Sequence, residues 1–590
     1  MPTAISRRSI LKTGALGTAL AVAPSRLFSV EAAAAPALDG IFGYGVASGD
    51  PTATAVIIWT RATPPTVGGG APAIPGSGRG HPLPVTWQLA RDPLFRTIVA
   101  QGREVTSASS DHTVKIDVTG LTPYTGYYYR FRALGQTSQV GRTRTAPDVE
   151  GEVRALRLAL VSCSNYTGGY FTAYRAIAAR DDLDFVLHVG DYIYEYGNGE
   201  DRYGPPTLIG ERDNVPSEET IELADYRLRH ALHKADPDAK LAHRRHPWIT
   251  IFDDHEVANN AWATDAENHT PGEEGAFLVR RARAYRAYLE WMPLRLPEQR
   301  EVPHRGIRFF RRFTFGALGD LSVIETRQNR SAQIDVPPFS TKGGGFIPEG
   351  APGLADPSRH LPEPEQLRWL TDGLTGGDTP WHLVGNQTIF SPIRFPGDTL
   401  GVPGTTLVNS DQWDGYQADQ ATVISELAAA PAGAGDAVFL TGDIHSSWAI
   451  DVPADRLTYP GDGQSVGVEF VCPSVTSDGF YEVFTGGAPT PDTVELGLAT
   501  VAAAEVGLQA TNPWVRYLDG VGHGFTVVDV TPRRVQADFY LTPMPTPAQP
   551  DPRIDPSVEP TYASSWETLA GSRSIGPASG ALGPRSDQPA

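Results

Sequence analysis

Five apolar runs, each ending abruptly in polar residues, place the strongest constraint on the fold of this chain. They are LRLALVSCSNY, LDFVLHVGDYIY, PWITIFDDHEVANN, PWHLVGNQTIF and DAVFLTGDIHSSW. Short apolar runs without alternation are typical of buried strands. Two stretches with helical spacing, YFTAYRAIAARDD and EEGAFLVRRARAYRAYLEWM, follow the first and the third run. Strands that alternate with helices predict an α/β core.

The polar residues at the ends of these runs include several that bind metals. In α/β folds, reactive groups collect beyond the carboxyl ends of the strands. In this chain those ends carry Cys163, Asp191, Asp253, Asp254, Asn386 and Asp443. A single aspartate after a strand is most often a turn former or a helix cap. Converging carboxylates without a cation, however, repel one another and lose solvation, so the whole set predicts a metal cluster.

The kinds of donor atom at the strand ends restrict the metal. A thiolate and a phenolate suit a Lewis-acidic ferric ion, whereas aspartate and asparagine oxygens suit calcium or magnesium. A carboxylate such as that of Asp191 is able to bridge two ions. The alternative role for Cys163 is a disulfide with Cys472, the second of the two cysteines. We favour the metal ligand, because a disulfide removes the thiolate from the strand ends.

The N-terminal residues predict export. Residues 1–35 contain the paired Arg7 and Arg8, a weakly apolar run and an alanine-rich stretch suited to signal peptidase. This pattern indicates a twin-arginine signal, which the Tat export machinery reads as an address. The alternatives are an ordinary Sec signal or a retained helix, but the apolar run is far shorter than the ~20 residues of a membrane span. We therefore expect a soluble protein, secreted or periplasmic, without a transmembrane anchor.

Hydrophobic pattern and composition divide the mature chain into further segments. A length of 590 residues predicts more than one domain. Residues 41–147 alternate as half-buried strands do, and they predict a small all-β domain resembling fibronectin type III, either a structural platform or a carbohydrate- or wall-binding module. Residues 155–543 hold the α/β core. Residues 544–590 are rich in proline, serine and glycine and predict a loosely attached tail.

Several blocks of the sequence together resemble one family. The blocks SCSNY, VGDYIYEYG, FDDHEVANN and LTGDIHSSWA, with GVASGDP near the start and NPWVRY near the end, are similar to the PhoD family of alkaline phosphatases. That family belongs to the calcineurin-like metallophosphoesterases. The resemblance implies an αββα sandwich behind the small all-β domain. It also implies one ferric ion with calcium ions, and hydrolysis of phosphodiesters as well as phosphomonoesters.

The resemblance assigns the ferric site to three residues. It implies that Cys163, Asp191 and Tyr194 bind the iron, and that Asp191 also reaches a calcium ion. The stretch VGDYIYEYG thereby supplies both a bridging carboxylate and a phenol that closes the ferric site.

The remaining site residues come from two other blocks. The resemblance implies that Asp253 and Asn260 bind calcium, and that the GDIH block contributes Asp443 and His445 as further metal ligands. His255 occupies the position where related metallophosphoesterases use a histidine against the phosphate. It is therefore the candidate general acid.

Two features depart from the family pattern or stand outside it. In IETRQNR, Glu325 replaces an expected aspartate and Asn329 replaces an expected tyrosine, which puts a substrate contact there in doubt. Arg280, Arg281 and Arg283 lie on one predicted helix, and we interpret them as a solvated face rather than a phosphate site.

Together these observations predict a secreted metal-dependent hydrolase of phosphodiesters and phosphomonoesters, in which a metal-activated water or oxide attacks phosphorus. Its substrates would be extracellular polymers, phospholipids or small esters. One alternative is a phospholipase D that acts on phospholipid head groups. An alternative of another class is a non-enzymatic cell-surface binding protein. The net charge of −19 is spread along the chain without a block of lysine and arginine, so nucleic-acid binding is not expected.

Overall fold

The structure is a computed structural model that describes residues 40–65, 73–199, 202–295, 307–340, 342–377, 379–400, 402–431 and 433–585. The predicted twin-arginine segment, residues 1–35, lies outside these ranges. Within them, no helix combines the length and the apolar composition needed to cross a lipid bilayer.

The first described region is built of strands, as predicted. They are β1 (Val46–Gly49), β2 (Ala55–Arg61), β3 (Leu83–Ala90), β4 (Ile98–Thr106), β5 (Thr113–Thr119), β6 (Gly126–Ala133), β7 (Gln136–Thr137) and β8 (Gly141–Arg144). β1, β2 and β5 lie in one sheet, and β3, β4 and β6 form another with β7 and β8. Ile58, Val85 and Phe131 are buried together in the apolar core of this region. This packing confirms the all-β prediction.

The next region contains the first three predicted apolar runs. Its elements are β9 (Leu156–Val161), α1 (Thr172–Ala179), β10 (Phe185–His188), α2 (Leu223–Ala235), α3 (Pro237–Arg245), β11 (Pro247–Thr250), α4 (Pro271–Glu274) and α5 (Phe277–Trp291). Each run forms a fully buried strand, and β9, β10 and β11 pair in parallel. The two stretches with helical spacing form α1 and α5.

The last two apolar runs form β15 and β18 in a second sheet. The elements of this region are β12 (Arg311–Phe315), β13 (Gly319–Val323), β14 (Phe346–Pro348), α6 (Pro364–Thr375), β15 (Trp381–Gly385), β16 (Phe395–Pro396), β17 (Thr406–Asn409), α7 (Gln417–Ala429), β18 (Asp436–Thr441), β19 (Ser447–Pro453), α8 (Tyr459–Asp462), β20 (Ser465–Val471), α9 (Phe480–Phe484), α10 (Val494–Thr511) and β21 (Val515–Asp519). The second sheet has the order β12-β13-β15-β18-β20-β19-β21, and β13, β15, β18 and β20 are parallel.

The two sheets pack face to face. Val438 and Leu440 of β18 join the core that both sheets share, while the alternate residues Ala437 and Phe439 pack against α6 and α7. On the first sheet, His188 of β10 faces α1, where its Nε2 atom lies 3.1 Å from the Oη atom of a tyrosine. Helices therefore cover the outer face of each sheet, which confirms the αββα sandwich.

The first sheet is longer than the predicted α/β core. It is completed by β22 (Gly524–Thr531), β23 (Arg534–Leu541), β24 (Thr561–Leu569) and β25 (Ile575–Pro577). Its order is β25-β24-β23-β22-β9-β10-β11-β1-β2-β5. β1 pairs in parallel with β11, Ser48 opposite Pro247 and Gly49 opposite Trp248. Three strands of residues 41–147, namely β1, β2 and β5, therefore share a sheet with the α/β core, while the others form a sheet of their own.

The expectation of a loosely attached tail is wrong for residues 544–585, the part of this segment that the structure describes. β24 pairs with β23 along the whole strand, from Arg534 opposite Leu569 to Leu541 opposite Thr561. Without β24, β23 would present an open strand edge. The segment TYASSWETL carries aromatic and β-branched residues suited to such pairing. The proline, serine and glycine residues around it obscured this strand in the sequence.

Four buried histidines surround Tyr192 behind the carboxyl end of β10. The ring centroids of His188, His230, His233 and His243 lie 5.4 to 6.2 Å from that of Tyr192. Burial, and secondarily the charge of a neighbouring lysine, lowers the pKa of His188 and of His230 to about 3. These imidazoles are therefore neutral in the folded protein over a pH range in which the unfolded chain protonates them.

We expect acid sensitivity from this arrangement. Because the unfolded chain binds a proton near pH 6.5 and folded His230 binds one only near pH 3, the free energy of unfolding falls as the pH decreases between these values. Each such histidine contributes about 1.4 kcal/mol per pH unit. His230→Leu should reduce the slope by that amount in urea denaturation at a series of pH values. His81→Leu, at an exposed position, is the control, and equal slopes for the two variants would contradict the assignment.

Candidate metal centre and active site

The carboxyl ends of β9, β10, β11 and β18 meet at one end of the sandwich. Cys163 follows β9 by two residues, Asp191 follows β10 by three, Asp253 follows β11 by three, and Asp443 follows β18 by two. Because parallel strands end at the same edge of a sheet, residues far apart in the sequence become neighbours here. The face-to-face packing of the two sheets then brings both edges together.

Five of the predicted site residues have left-handed backbone conformations. The φ angles are 60° at Cys163, 58° at Asp191, 52° at Asn260, 65° at Asp443 and 58° at His445. Such conformations are uncommon outside glycine and cost on the order of 1–3 kcal/mol each. They turn the chain sharply after each strand, so that successive side chains point into a shared space. Their concentration here marks this end of the sandwich as the candidate functional site.

Two glycines allow the strand ends to approach closely, and each precedes an aspartate in a GD pair. A β-carbon added to Gly190, whose φ angle is 117°, would lie 2.4 Å from Asp253 Cβ. One added to Gly442 would lie 2.4 Å from Ser162 Oγ. Because atoms cannot approach this closely, a larger residue at either position would push the strand ends apart.

One donor set combines a thiol, a carboxylate, a phenol and an imidazole. The Sγ atom of Cys163 and one ligand atom each of Asp191 and His445 lie within 4.8 Å of one another. The Oη atom of Tyr194 donates to Asp191 Oδ2 at 2.9 Å and lies 3.5 Å from His445 Nε2. All four residues are buried. The structure thus brings together four of the predicted metal ligands.

The chemical state of this set depends on a cation. Both cysteines are free and buried, so Cys163 and Cys472 form no disulfide. Burial, reinforced by the charge of Asp191, raises the pKa of the Cys163 thiol and of the Tyr194 phenol well above their usual values. Both groups therefore keep their protons unless a metal ion displaces them.

Three aspartates form a second donor set. Asp253, Asp254 and Asp443 each place a carboxylate oxygen within 4.8 Å of the others. Arg327 lies among them: its Nη2 atom donates to Asp253 Oδ2 at 2.9 Å and lies 3.6 Å from oxygens of both other aspartates. Burial raises the pKa of Asp253 well above its usual value. Burial acts in the same direction on Asp254, but Arg327 and His255 hold its pKa below the usual range.

The two donor sets fit metal cations. Asp191 Oδ1 and Asp254 Oδ1 are buried and have no hydrogen-bond partner among the described residues. A buried carboxylate oxygen without a partner is costly, and a cation provides the missing interaction. Asp191 also lies within 4.8 Å of Asp254 and His255, measured between ligand atoms. Its position between the two sets is therefore suited to bridging two ions.

His255, the predicted general acid, is paired with a carboxylate that the sequence analysis missed. Its Nδ1 atom donates to Glu195 Oε2 at 2.7 Å, and Glu195 Oε1 accepts from Asn259 N and Asn268 Nδ2, each at 2.7 Å. Burial opposes protonation of His255, but the surrounding carboxylates, Asp254 first, raise its pKa well above the usual value. The signal was present in VGDYIYEYG, where Glu195 stands between two tyrosines.

A second missed carboxylate, Glu256, supports the backbone of the site. Its Oε2 atom accepts from the N–H groups of Asp191 at 3.1 Å and Asp253 at 2.8 Å, and its Oε1 atom accepts from Tyr192 N at 2.6 Å. Burial raises the pKa of Glu256 to about 7. This last residue of the DDHE block therefore links the turn after β10 to the turn after β11.

Asn260, the predicted calcium ligand, lies at the edge of the second donor set. Its backbone N–H donates to Asp254 Oδ2, and its side-chain amide donates to Glu267 Oε2 at 2.8 Å. The structure therefore places Asn260 beside the aspartates and oriented by Glu267.

The two departures from the family pattern have local structural roles. Glu325 accepts hydrogen bonds from the backbone N–H groups of Arg327 and Gln328 and so fixes the turn between them. Asn329 Nδ2 donates to Glu363 Oε2 at 3.2 Å. The IETRQNR segment therefore contributes to the site mainly through Arg327, which the sequence analysis did not single out.

The prediction of a solvated face for Arg280 and Arg281 is wrong. Arg280 is fully buried and pairs with Glu219 at 2.9 Å and Glu274 at 2.6 Å. Arg281 is 8% exposed and donates to two backbone carbonyls. Arg283 is partly exposed and pairs with a glutamate at 2.8 Å. α5 therefore packs Arg280 and Arg281 against acidic and carbonyl partners in the core.

Comparisons with known proteins point to one family. The model of the PhoD-like phosphatase family matches residues 158–539, and that of the PhoD-like phosphatase N-terminal domain matches residues 29–147. Alkaline phosphatase D of Bacillus subtilis (strain 168) is 34% identical over 540 residues, which cover 91% of this chain and 83% of that protein.

A solved structure gives the same result. The chain matches the structure of PhoD with a TM-score of 0.75 and 32% identity, over 93% of this chain and 94% of that one. The αββα sandwich, the converging donor sets and these matches lead to one conclusion. The chain belongs to the PhoD-like phosphatase family and is a phosphoric ester hydrolase.

Proposed function

We propose that this hydrolase uses one ferric ion and calcium to cleave phosphodiesters and phosphomonoesters by attack of water on phosphorus. The observation that carries the proposal is the set of Cys163, Asp191, Tyr194 and His445 beside three converging aspartates. A thiolate and a phenolate in one set favour a ferric ion, and an all-carboxylate set favours calcium. We therefore assign iron to the first set and calcium to the second, with Asn260 at its edge.

The charge balance of the site supports this assignment. With its thiol and phenol deprotonated, the first set offers three negative charges, which equal the charge of one ferric ion. The three aspartates of the second set carry further negative charge, which Arg327, shared with Asp411, and the neighbouring His255 offset only in part. The remaining negative charge favours a further cation, and the carboxylate oxygens suit calcium.

The protein's own residues then direct the proton that the reaction requires. When bound, the cations supply Lewis acidity to the phosphoryl oxygens and to the attacking water. Glu195 occupies Nδ1 of His255, so Nε2 is the ring nitrogen that donates a proton to the departing oxygen. The rings of Tyr194 and Tyr196 lie 4.3 and 5.4 Å from the imidazole centroid and restrict its rotation.

We also propose that the protein is exported through the Tat pathway and acts outside the cytoplasm. The paired arginines and the alanine-rich stretch of residues 1–35 support this proposal. The Tat pathway carries folded proteins, which suits an enzyme whose metal ligands come from distant parts of the chain.

The two cysteines provide a matched test of the ferric site. Cys163→Ala should lose bound iron and most activity while the protein stays folded, because it removes the thiolate from the first donor set. Cys472→Ala should keep iron, because Cys472 lies outside both donor sets. Elemental analysis of both variants, purified without added metal, measures the difference. Normal iron content in Cys163→Ala would contradict the assignment.

The His255 and Glu195 pair predicts a loss of turnover with metal retained. His255→Ala should lower kcat by about 10²-fold or more, because proton transfer by a positioned side chain contributes at least that much. Glu195→Gln should lower kcat in the same direction and alter the pH profile, because the imidazolium loses its anionic partner. Glu218→Gln, at an exposed position, is the control. Loss of metal in His255→Ala would show that His255 is a ligand instead.

The substrate class is tested with chromogenic esters and a phospholipid. We expect release of nitrophenol from bis(p-nitrophenyl) phosphate and from p-nitrophenyl phosphate. Choline and phosphatidic acid from phosphatidylcholine would instead identify a phospholipase D. Absence of turnover on all three esters by protein that contains iron would contradict the proposed function and favour a binding protein.

A further inference from the structure

A loop behind the ferric set touches three of its members without contributing a donor atom. This loop, residues 474–478, places Ser477 Oγ 2.6 Å from Tyr194 Oη and 3.1 Å from the carbonyl oxygen of Cys163. The carbonyl oxygen of Asp478 accepts a hydrogen bond from His445 Nδ1 at 2.8 Å. The 474–478 loop is therefore placed to orient the phenol and the imidazole of the set.

The Ser477 hydroxyl has one proton to donate, and the shorter distance directs it to Tyr194. The phenol directs its own proton to Asp191 Oδ2 at 2.9 Å. If iron takes the place of that proton, the phenolic oxygen becomes an anion and Ser477 donates to it. Hydrogen bonds to ionised oxygens are roughly twice as strong as neutral ones, so this contact gains strength when the metal is bound.

His445 is oriented in a comparable way. Because its Nδ1 atom donates to the Asp478 carbonyl, its Nε2 atom presents a lone pair toward the donor set. Hydrogen bonds of this kind to the second ring nitrogen fix the tautomer and the ring orientation of metal-binding histidines.

The 474–478 loop is itself held by the C-terminal segment. Arg553 is 3% exposed. Its Nη1 atom donates to the carbonyl oxygen of Thr476 at 2.9 Å and to Asp478 Oδ1 at 2.8 Å. Its Nε and Nη2 atoms donate to both carboxylate oxygens of Asp551 at 2.9 and 2.8 Å. The planar guanidinium therefore fixes the loop against the segment that follows β23.

We propose that Ser477 and Arg553 are positioning residues of the ferric site. Ser477 orients Tyr194 through a hydrogen bond to its phenolic oxygen, and Arg553 orients His445 by holding Asp478. This inference rests on the proposed function, because it assumes that the first donor set binds iron.

The visible spectrum of the purified protein tests the role of Ser477. Ferric phenolates absorb visible light, and the band responds to a hydrogen bond on the phenolate oxygen. Ser477→Ala should shift this band at unchanged iron content and speed iron release to EDTA by about tenfold, as loss of a hydrogen bond to a charged group implies. Ser447→Ala is the matched control, because the Ser447 hydroxyl is buried without a hydrogen-bond partner among the described residues.

The outcomes separate this inference from the proposed function. A Ser477→Ala protein with the wild-type visible absorption band and the wild-type rate of iron release would overturn the role of Ser477. A wild-type protein without ferric iron would instead contradict the proposed function, and this inference with it.

The role of Arg553 is tested by a substitution of its partner Asp478, because a substitution of Arg553 itself would leave buried carboxylates unpaired. Asp478→Asn keeps the backbone carbonyl and the side-chain shape but removes the charge that Arg553 holds. We expect faster iron release with a thermal midpoint close to that of the wild type. Release at the wild-type rate would overturn the role assigned to Arg553.

Discussion

The mutual repulsion of buried carboxylates is the constraint on which the rest of this structure depends. Asp191, Asp253 and Asp254 are buried and converge with the partly exposed Asp443 at one end of the sandwich, where little water separates their charges. Arg327 offsets part of that charge by pairing with Asp253, Asp254 and Asp443, and His255 lies beside Asp254. Metal cations would offset the remaining negative charge, so metal binding would stabilise the fold and supply the chemistry at the same place.

The backbone bears part of the cost of this convergence. Left-handed turns after the strands and glycines without room for a side chain bring the donors into reach of one another. Such turns would be unfavourable in isolation. Glu256 compensates by accepting three backbone N–H groups across two turns. Strain at the strand ends is thus offset by the hydrogen bonds that the Glu256 carboxylate accepts.

The sequence was sufficient to predict the sandwich and the convergence of strand ends, because unbroken apolar runs and the polar residues after them report directly on buried parallel strands. It was insufficient for Glu195, Glu256 and Arg327, whose roles depend on partners that lie far away in the chain. Composition also led to a wrong prediction for the C-terminal segment. The residues around β24 look like a linker, although the strand itself has a clear β pattern. Buried arginines on α5 were misjudged, since their acidic partners come from other segments.

The position of Arg553 near the end of the chain has a consequence for biosynthesis. The donor residues of both sets have already been synthesised when Asp443 and His445 leave the ribosome, yet the loop beside them is held by a residue more than one hundred positions later. A nascent chain that has just released His445 therefore lacks the residue that holds this loop. A protein cleaved between β23 and Arg553 would lose this support even though every donor residue remained.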